Sequence, residues 1–410
     1  MDSYFYGTNY MNRKEELKYL LLIIVIFIAA CIETDIYLPA FPDMMKAFSV
    51  SEGTIQGLLT WNFVGICLSG PFYGPISDSF GRKKPLIIAL ILFLLGSLLT
   101  FFGTDFSQMI LGRVLQGLGS GGCFTLGTAI IFDAFQKEKA IQALNNLNMA
   151  IPIIMSLAPM VGGYLNYTYG FRSNFLLITV FVCLSLIAVL LLFKESLPLK
   201  NRLPFHLPSI SKDFKKALFS PSFWKISIAT SLLFAVYISF LSYTTILFVS
   251  ELGISKKLSP LFQVLILGTW TIAGLFLKKT LLILGNLRVK KTGLILCVAG
   301  TISFITASAI ASQNPYLLVG SLLPFIFGAN WVFGLYFPEA MELLPEIKGV
   351  MASLLTSTRL LIAALTVGLT SYLYNATIYP LTAICLISLT VILACLLSYE
   401  NKQKKTITSS

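Results

Sequence analysis

The sequence predicts an all-α integral membrane protein with twelve transmembrane helices in two pseudo-symmetric six-helix bundles. Hydrophobic residues fill 56% of the 410 positions and charged residues only 12%. A soluble domain carries about twice that share of charge, because it needs a polar surface toward water. Twelve long apolar runs and a weak repeat between the two halves of the chain support the same architecture.

Each predicted helix is a mostly apolar run of about 20 residues, the length that crosses the hydrocarbon core of a bilayer. The connections between most runs are short, which leaves little room for a folded soluble domain. The runs lie at 19–41, 54–73, 85–103, 107–131, 140–165, 172–193, 222–249, 260–283, 292–312, 315–337, 349–373 and 376–398.

The connection between the sixth and seventh runs is the longest, and it holds four of the seventeen prolines. Because it lies almost at mid-chain, we interpret it as a linker between two folded halves. The predicted organisation is an N-terminal six-helix bundle at 1–193, a cytoplasmic linker at 194–221, a C-terminal six-helix bundle at 222–398 and a cytoplasmic tail at 399–410.

The basic residues fall mainly on one side of the predicted bundle. With the N-terminus inside, 24 of the 30 Lys and Arg residues lie in inner segments and only four in outer ones. This bias predicts that both termini are cytoplasmic. It also accounts for the excess of base over acid without a nucleic-acid partner. We expect a monomeric, multi-pass protein in the lipid bilayer of a bacterial inner membrane.

The two halves share a short basic motif at matching positions. Gly81-Arg-Lys-Lys-Pro before the third run corresponds to Arg288-Val-Lys-Lys-Thr before the ninth. Aligning Lys83 with Lys290 gives an offset of 207, about half the chain. Duplicated six-helix halves recur among transporters, with the substrate site between them near the membrane midplane.

The connection between the second and third runs reads Gly74-Pro-Ile-Ser-Asp78-Ser-Phe-Gly81-Arg82-Lys-Lys. It resembles the loop signature of the major facilitator superfamily, although a serine follows Asp78 where the family has a basic residue. The resemblance implies that Asp78 and Arg82 belong to a cytoplasmic charge latch between helices and between halves. Asp133, at the inner end of the fourth run, is the expected partner of Arg82. Gly74 and Gly81 are expected to permit a tight, close-packed turn.

The end of the first run reads Cys31-Ile-Glu33-Thr-Asp35-Ile-Tyr-Leu-Pro-Ala-Phe-Pro. This string resembles the Bcr/CflA-type drug:proton antiporters, in a branch that includes MdfA-like exporters. The resemblance implies that the acid at Asp35 lies in or near the substrate cavity and takes part in proton coupling. Glu33 departs from the pattern, since the family has a small or polar residue there.

Arg113 lies inside the fourth run, and an arginine within a membrane almost always faces a cavity or a counter-charge. At 1.5 Å per residue, Glu33, Asp35 and Arg113 lie at one level, about 8 to 10 Å from the outer helix ends. Residues two apart on a helix point about 200° apart, so only one acid can face Arg113. We expect one acid to pair and the other to protonate, with Asp35 in the family role and Glu33 titrating or contacting substrate. The alternative is that both acids are solvated among the outer headgroups. Asn62 and Gln116 are expected in the same cavity.

The fifth run ends with Pro159-Met-Val-Gly162-Gly163. This stretch resembles the Pro-Gly-Gly signature of the antiporter branch of the superfamily, with alanine replacing the usual glycine before the proline. A proline frees a backbone carbonyl and glycines allow tight packing, so we expect the helix to bend here, at the interface between halves. The alternative is a purely structural kink.

Arg359 lies near the middle of the eleventh run, about 16 to 20 Å from either end, with no acid nearby on its own helix. Two roles stay open. Arg359 either binds an anion or supplies a counter-charge in the cavity, or it pairs with Glu33 or Asp35 and holds the halves together. Polar and aromatic residues of the cavity-lining runs are candidates for a substrate wall: Asn62, Tyr237, Tyr243, Trp270, Asn330 and Trp331.

These features predict a proton-coupled secondary transporter that exports drugs or other small amphipathic molecules. The chain has no Walker motif, so ATP is not expected as its direct energy source. Gly117-Leu-Gly-Ser-Gly-Gly122 matches the dinucleotide pattern G-x-G-x-x-G, but it lies inside an apolar run with no strand before it, so no nucleotide cofactor is expected. The chain shows no clustered nucleophile and no cysteine spacing typical of a metal site, so an enzyme is not expected. The alternative keeps the fold and changes the cargo to an anionic or zwitterionic metabolite, such as a siderophore or an amino acid, exported or imported. The expected partners are the substrate and protons.

Overall fold

The computed structural model describes residues 13–135, 137–202, 207–344 and 347–408, and all regular structure in these ranges is helical. The first seven α-helices precede residue 193. They are α1 (Arg13–Asp35), α2 (Phe41–Phe48), α3 (Glu52–Phe80), α4 (Lys83–Phe102), α5 (Phe106–Ala134), α6 (Lys137–Tyr169) and α7 (Arg172–Leu192).

The second seven α-helices begin with a short one in the predicted linker. They are α8 (Leu207–Leu218), α9 (Pro221–Ile246), α10 (Ser259–Leu284), α11 (Asn286–Ile310), α12 (Pro315–Met341), α13 (Lys348–Tyr372) and α14 (Tyr379–Thr408). A single π-helical turn, Leu247–Glu251, extends α9.

Twelve of these helices have 20 residues or more, and the twelve-helix prediction is confirmed. By length and composition, ten helices in the described ranges are apolar enough to cross a membrane. The ten do not include α3 and α6, which have 29 and 33 residues. The polar side chains of Gln56 and Asn62, together with several glycines and serines, lower the mean hydropathy of α3. Both of these side chains are buried inside the protein.

The helices pack as two groups, and two pairs of helices form the main contacts between the groups. In the first group α5 packs between α3 and α4, and α7 packs against α4 and α1. In the second group α11 packs against α12, and α9 packs against α12 and α14. The groups meet where α13 lies against α3 and where α10 lies against α6. Smaller contacts of α9 with α2, α3 and the turn Leu38–Ala40 bring the C-terminal end of α1 close to the second group.

The first transmembrane helix ends earlier than the sequence predicts. α1 stops at Asp35, and a 3-10 turn at Leu38–Ala40 leads into α2. Pro39 and Pro42 explain the break, because proline lacks a backbone N–H and disfavours helical geometry in the residue before it. Asp35 is therefore the last residue of α1 rather than an interior one.

The loop predicted at 74–84 is mostly helix, because α3 continues to Phe80 and α4 begins at Lys83. The turn between α3 and α4 lies at Gly81, whose φ of +85° favours glycine, as expected. The expectation for Gly74 is wrong. Gly74 lies within α3, and a Cβ added there would meet no atom within 4 Å.

Two glycines of α6 allow close contact with other elements. A Cβ added at Gly162 would collide with the backbone carbonyl of Ile36, the residue after α1. At Gly163 it would collide with the ring of Pro260 at the start of α10, and would lie 3.6 Å from Cβ of Pro39. α6 runs as one helix through Pro159, so the bend remains a prediction and the close approach is the observed property.

Contacts between the two groups close one face of the protein, which we call the Asp43 face. Lys256, ahead of α10, forms an ion pair with Asp43 of α2, and Asn166 of α6 donates to the same carboxylate at 2.7 Å. Ser371 of α13 donates to the carbonyl of Gly53. These bonds hold α10 and α13 against the ends of α2, α3 and α6.

Replacing Gly162 by alanine should destabilise the protein by about 1–3 kcal/mol, because the new methyl group meets backbone that cannot rotate away. Gly74→Ala is the matched control and should be neutral or slightly stabilising. Thermal unfolding in detergent measures both. Equal unfolding midpoints for the two variants would contradict the close approach of α6 to Ile36.

Lys256→Gln should open the Asp43 face, because it removes the charge that pairs with Asp43. Cys31 is buried one helical turn before Asp35 and reports the opening through its labelling by a membrane-impermeant maleimide. Peptide mass spectrometry should show labelling of Cys31 rising several-fold. Lys257→Gln is the control, since the Lys257 ammonium lies 4.4 Å from the Tyr167 ring and contacts no carboxylate in the described ranges. The same labelling in both variants would show that the ion pair does not hold this face shut.

Candidate functional site

A fully buried ion pair joins α1 to α5. Arg113 Nη1 lies 2.7 Å from Glu33 Oε2, and neither side chain has any exposed surface. The same nitrogen donates to the main-chain carbonyl of Glu33 at 3.1 Å. Arg113 thus binds both the acid and one of the last carbonyls of α1, where a positive charge stabilises a helix end.

Polar side chains complete the hydrogen bonding of this pair. Asn62 of α3 donates to both carboxylate oxygens of Glu33, at 3.1 and 3.3 Å, and Ser120 donates to Oε1 at 3.0 Å. Gln116 accepts from Arg113 Nη1 at 2.8 Å, and the Tyr37 hydroxyl accepts from Nη2 at 3.2 Å. A buried ion pair needs such partners, because desolvation of two charges costs several kcal/mol per ion.

The predicted residues Glu33, Arg113, Asn62 and Gln116 therefore meet in one cluster. Ser120 and Tyr37 were not predicted to belong to it. Helical spacing was the available signal for Ser120, because it follows Gln116 by four positions on α5. Tyr37 lies after the end of α1, so spacing along that helix does not predict its place.

Small residues let α3 and α5 come close enough to build this cluster. A Cβ added at Gly117 would lie 3.0 Å from Cα of Gly65 and would collide with the Asn62 carbonyl. Asn62 reaches across this seam and donates to the main-chain carbonyl of Arg113 at 3.2 Å. The glycines thus set the distance at which the Asn62 amide can bridge the two helices.

Asp35 is buried without a partner. Its side chain is 0% exposed, and neither carboxylate oxygen has a hydrogen-bond partner among the described residues. The spacing of two residues places Asp35 about 200° from Glu33 around the axis of α1. The Asp35 carboxylate lies within electrostatic range of Tyr237 of α9, and also of Glu33 and Arg113. Glu33 is therefore the acid that pairs, and Asp35 is the acid left available.

Aromatic rings form a continuous wall beside Asp35, which we call the aromatic wall. Tyr237 and Trp270 stack with centroids 5.2 Å apart, and both were predicted cavity residues. The other rings were not predicted, because the sequence does not distinguish them from the many other phenylalanines in apolar runs. Neighbouring centroids lie 5.0 to 6.3 Å apart along the series Phe63, Phe234, Tyr237, Trp270, Phe333 and Phe337.

The other three predicted wall residues lie elsewhere. The Tyr243 hydroxyl donates to the carbonyl of Thr377 at 2.5 Å, beyond the end of α13. The Trp331 indole donates to the carbonyl of Ala273 at 2.9 Å and so fastens α12 to α10. The amide of Asn330 lies by Gly274 on the same seam, and its buried oxygen has no hydrogen-bond partner among the described residues. Tyr243 and Trp331 thus have structural contacts outside the aromatic wall.

Arg359 of α13 lies against the aromatic wall. Its guanidinium carbon is 5.1 Å from the centroid of Phe234 and 5.6 Å from those of Phe333 and Phe337. Its Nε is buried without a hydrogen-bond partner, and it forms no ion pair with any described acid. The expectation that Arg359 pairs with Glu33 or Asp35 is thus wrong in this structure, because Arg113 already occupies Glu33.

The charge latch predicted around Arg82 lies at the opposite face from Asp43. Arg82 Nε is 2.7 Å from Asp133 Oδ2, and its Nη1 is 2.6 Å from Asp78 Oδ1. Glu195, just after α7, accepts from the Arg82 backbone N–H at 2.8 Å. Burial alone would lower the pKa of Arg82, but hydrogen bonds and charge from Asp133 and Asp78 raise it above its ordinary value. The guanidinium therefore stays charged.

This latch joins helices within the first group. The contacts of Arg82, Asp78 and Asp133 in the described ranges include no bond to the second group, so the expected link between halves is absent here. The second group has its own version, in which Lys290 of α11 pairs with Glu339 of α12. Tyr399 of α14 donates to Glu339 at 2.9 Å. The sequence repeat placed Lys290 at the position that corresponds to Lys83, but its acidic partner Glu339 was not predicted.

Glu33→Gln should destabilise the protein by about 3–5 kcal/mol, because it leaves the buried Arg113 without its counter-charge. Asp35→Asn is the matched control, since the Asp35 oxygens have no hydrogen bond or ion pair to lose. Thermal unfolding in detergent should show a large drop for the first variant and little change for the second. A larger loss for Asp35→Asn would refute the assignment of Glu33 as the paired acid.

Comparison with curated proteins gives matches along most of the chain. A family model described as Major Facilitator Superfamily matches residues 23–367. The chain is 27% identical over 387 residues to an uncharacterized MFS-type transporter, YdgK, of Bacillus subtilis (strain 168), which covers 92% of this chain and 93% of the relative. It is 26% identical over 329 residues to multidrug resistance protein MdtL of Salmonella dublin, covering 78% and 80%. Multidrug resistance protein D of Escherichia coli (strain K12) aligns over 42% of this chain and 43% of its own, at 28% identity.

Solved structures share the fold at low sequence identity. The crystal structure of a peptide transporter, POT, in complex with sulfate superposes with a TM-score of 0.76 at 15% identity, covering 94% of each chain. That of a D-xylose-proton symporter gives 0.71 at 16% identity, covering 93% of this chain and 96% of the other. Such identities show the fold alone, whereas the family match spans most of the chain. The chain therefore belongs to the Major Facilitator Superfamily and is a membrane transporter.

Proposed function

We propose that this transporter exchanges protons for drugs or other small amphipathic molecules, which it exports by alternating access. One observation carries the proposal: Asp35 is a buried carboxylate without a hydrogen-bond partner among the described residues, and it lies within electrostatic range of Tyr237 of the aromatic wall. The motif around Asp35 supports placing the chain in the Bcr/CflA-type branch. Two relatives are named multidrug resistance proteins, which supports the same class of cargo.

The two acids of α1 have different environments, and this difference assigns their roles. Glu33 accepts hydrogen bonds from Asn62 and Ser120 and pairs with Arg113, so its negative charge is compensated. Asp35 has none of these partners. Burial of an isolated carboxylate is so costly that such a group takes up a proton or meets a cation instead. Asp35 is therefore the proton carrier, and Glu33 is the fixed charge that positions Arg113 and α1.

Alternating access follows from the two faces of the protein. The Asp43 face is closed by contacts between the groups, and we assign it to the outside because the basic segments lie at the other end. Opening this face exposes Asp35 to external water, where it can take a proton and release cargo. Closing the face, with opening at the Arg82 face, returns the proton to the cytoplasm. The energy comes from the proton gradient, as in other secondary transporters.

The remaining assignments belong to the same proposal. The helix groups act as rigid bundles at 1–193 and 222–398, joined by a cytoplasmic linker at 194–221 with a tail at 399–410. Both termini face the cytoplasm of a bacterium, the protein lies in the inner membrane, and it works as a monomer. The Arg82 and Lys290 latches stiffen the cytoplasmic ends of the two bundles.

Asp35→Asn should abolish substrate-driven proton flux, because asparagine keeps the shape of the side chain and cannot carry a proton. Purified protein in proteoliposomes with a trapped pH dye, tested with lipophilic aromatic drugs of positive, neutral and negative charge, measures the flux. The control is Asp105→Asn, since Asp105 is exposed at the start of α5 and lies outside the cluster. Undiminished flux in Asp35→Asn would remove this acid from the mechanism, while loss in both variants would indicate a nonspecific effect of the substitutions.

A further inference from the structure

The two arginines inside the membrane-spanning helices differ in their partners. Arg113 uses all three of its nitrogens: Nη1 binds Glu33, Nη2 binds Tyr37, and Nε donates to the Leu58 carbonyl at 3.4 Å. Arg359 has no ion pair with a described acid, and its buried Nε has no acceptor. One arginine is thus part of the fixed framework, and the other is left with hydrogen-bond donors to offer.

Leaving the buried Nε of Arg359 without a hydrogen-bond acceptor is costly because of where the residue lies. Arg359 lies about 16 to 20 Å from either end of α13, at the seam with α3 and α9. Arg359 is half-buried, and its buried Nε bears part of the desolvation cost of a cation, which reaches several kcal/mol when burial is complete. Contact with aromatic faces returns only about 0.5–2 kcal/mol. The aromatic wall therefore compensates part of the penalty, and an anion that pairs with the guanidinium would compensate the rest.

The donors of Arg359 suit one kind of anion. A guanidinium presents two parallel N–H groups, which match the two oxygens of a carboxylate better than a single-point acceptor. The side chain emerges between the rings of Phe234, Phe333 and Phe337. An anion that reaches it must therefore sit beside flat apolar surface.

The aromatic wall connects this position to Asp35. Phe234 contacts Tyr237 with ring centroids 5.6 Å apart, and Tyr237 stacks on Trp270. Asp35 lies within electrostatic range of Tyr237, the ring between Phe234 and Trp270. A molecule seated on the wall would thus be close to both a cation and a protonatable acid.

We propose that Arg359 is the anion-binding residue of the transport chamber and that the cargo is a small aromatic carboxylate. The carboxylate pairs with the Arg359 guanidinium, and the aromatic body stacks on Tyr237 and Trp270. A positively charged group elsewhere on the cargo would face Asp35, so zwitterions also fit. This inference rests on the proposed function for the place of the chamber, but binding at Arg359 can be measured without transport.

Binding of three probes of one shape to the purified protein in detergent at pH 7 tests the proposal. The probes are naphthalene-2-carboxylate, its neutral carboxamide, and naphthalen-2-ylmethylammonium, each titrated calorimetrically. The wild-type protein should bind the carboxylate at least about tenfold more tightly than the carboxamide, which is the selectivity of one charge-assisted bidentate contact. The ammonium should bind more weakly than the carboxylate. Tighter binding of the carboxamide or ammonium, or no binding of the carboxylate, would overturn the assignment.

Arg359→Gln should reduce the carboxylate preference to about one, while binding of the carboxamide stays unchanged and shows that the wall is intact. Arg359→Lys keeps the charge but loses the fork of donors, so the preference should fall several-fold. Arg288→Gln, which removes an exposed arginine at the start of α11, is the control and should keep the wild-type preference. A preference unchanged in both Arg359 variants would overturn the proposal.

Asp35→Asn separates this inference from the proton-coupling scheme. The variant should lose proton flux and keep its preference for the carboxylate, because Arg359 is intact. If Asp35→Asn keeps its flux while Arg359→Gln loses the preference, the anion site stands and the proton carrier is wrong. If Asp35→Asn loses its flux while Arg359→Gln keeps the carboxylate preference, the proton carrier stands and the anion site is wrong.

Discussion

Glu33 and Arg113 form an ion pair shielded entirely from water, and the centre of the protein is arranged around it. The pair holds α1 against α5. Asn62 connects α3 to both helices, because it donates to the Glu33 carboxylate and to the main-chain carbonyl of Arg113. The ion pair and its shared hydrogen bonds fix the three helices relative to one another. Arg113 also binds a terminal carbonyl of α1, which helps to define where that helix ends.

The position of Asp35 follows from that constraint. With Glu33 turned toward Arg113, an acid two residues later must face the other way, toward α9 and the second helix group. There it lies within electrostatic range of Tyr237, and its carboxylate accepts no hydrogen bond from the described residues. The same helix thus carries one compensated charge that belongs to the framework and one uncompensated acid that is free to change its protonation state. The two intramembrane arginines show the same contrast, because Arg113 pairs with Glu33 while Arg359 forms no ion pair with a described acid.

Sequence patterns predicted the helices and the paired charges, because both depend on local composition and on distance along a helix. Glu33 and Arg113 could be placed at one depth by counting residues. The end of α1 at Asp35 and the continuation of α3 through Gly74 were not predicted, since apolar runs do not show where a helix breaks. The aromatic surroundings of Arg359 were missed because they come from α9 and α12 as well as α13. Such a site depends on tertiary packing, which residue spacing does not encode.

The contact between Gly162 and the Ile36 carbonyl has a mechanical consequence. It places α6, which carries Asn166 at the Asp43 face, directly against the carbonyl of Ile36, the residue after Asp35. Because glycine has no side chain that could adjust at this contact, a movement of α6 toward the end of α1 must push the main chain there. A shift at the water-facing rim in that direction is thus transmitted to the main chain beside the ionisable side chain without any intervening rotamer change.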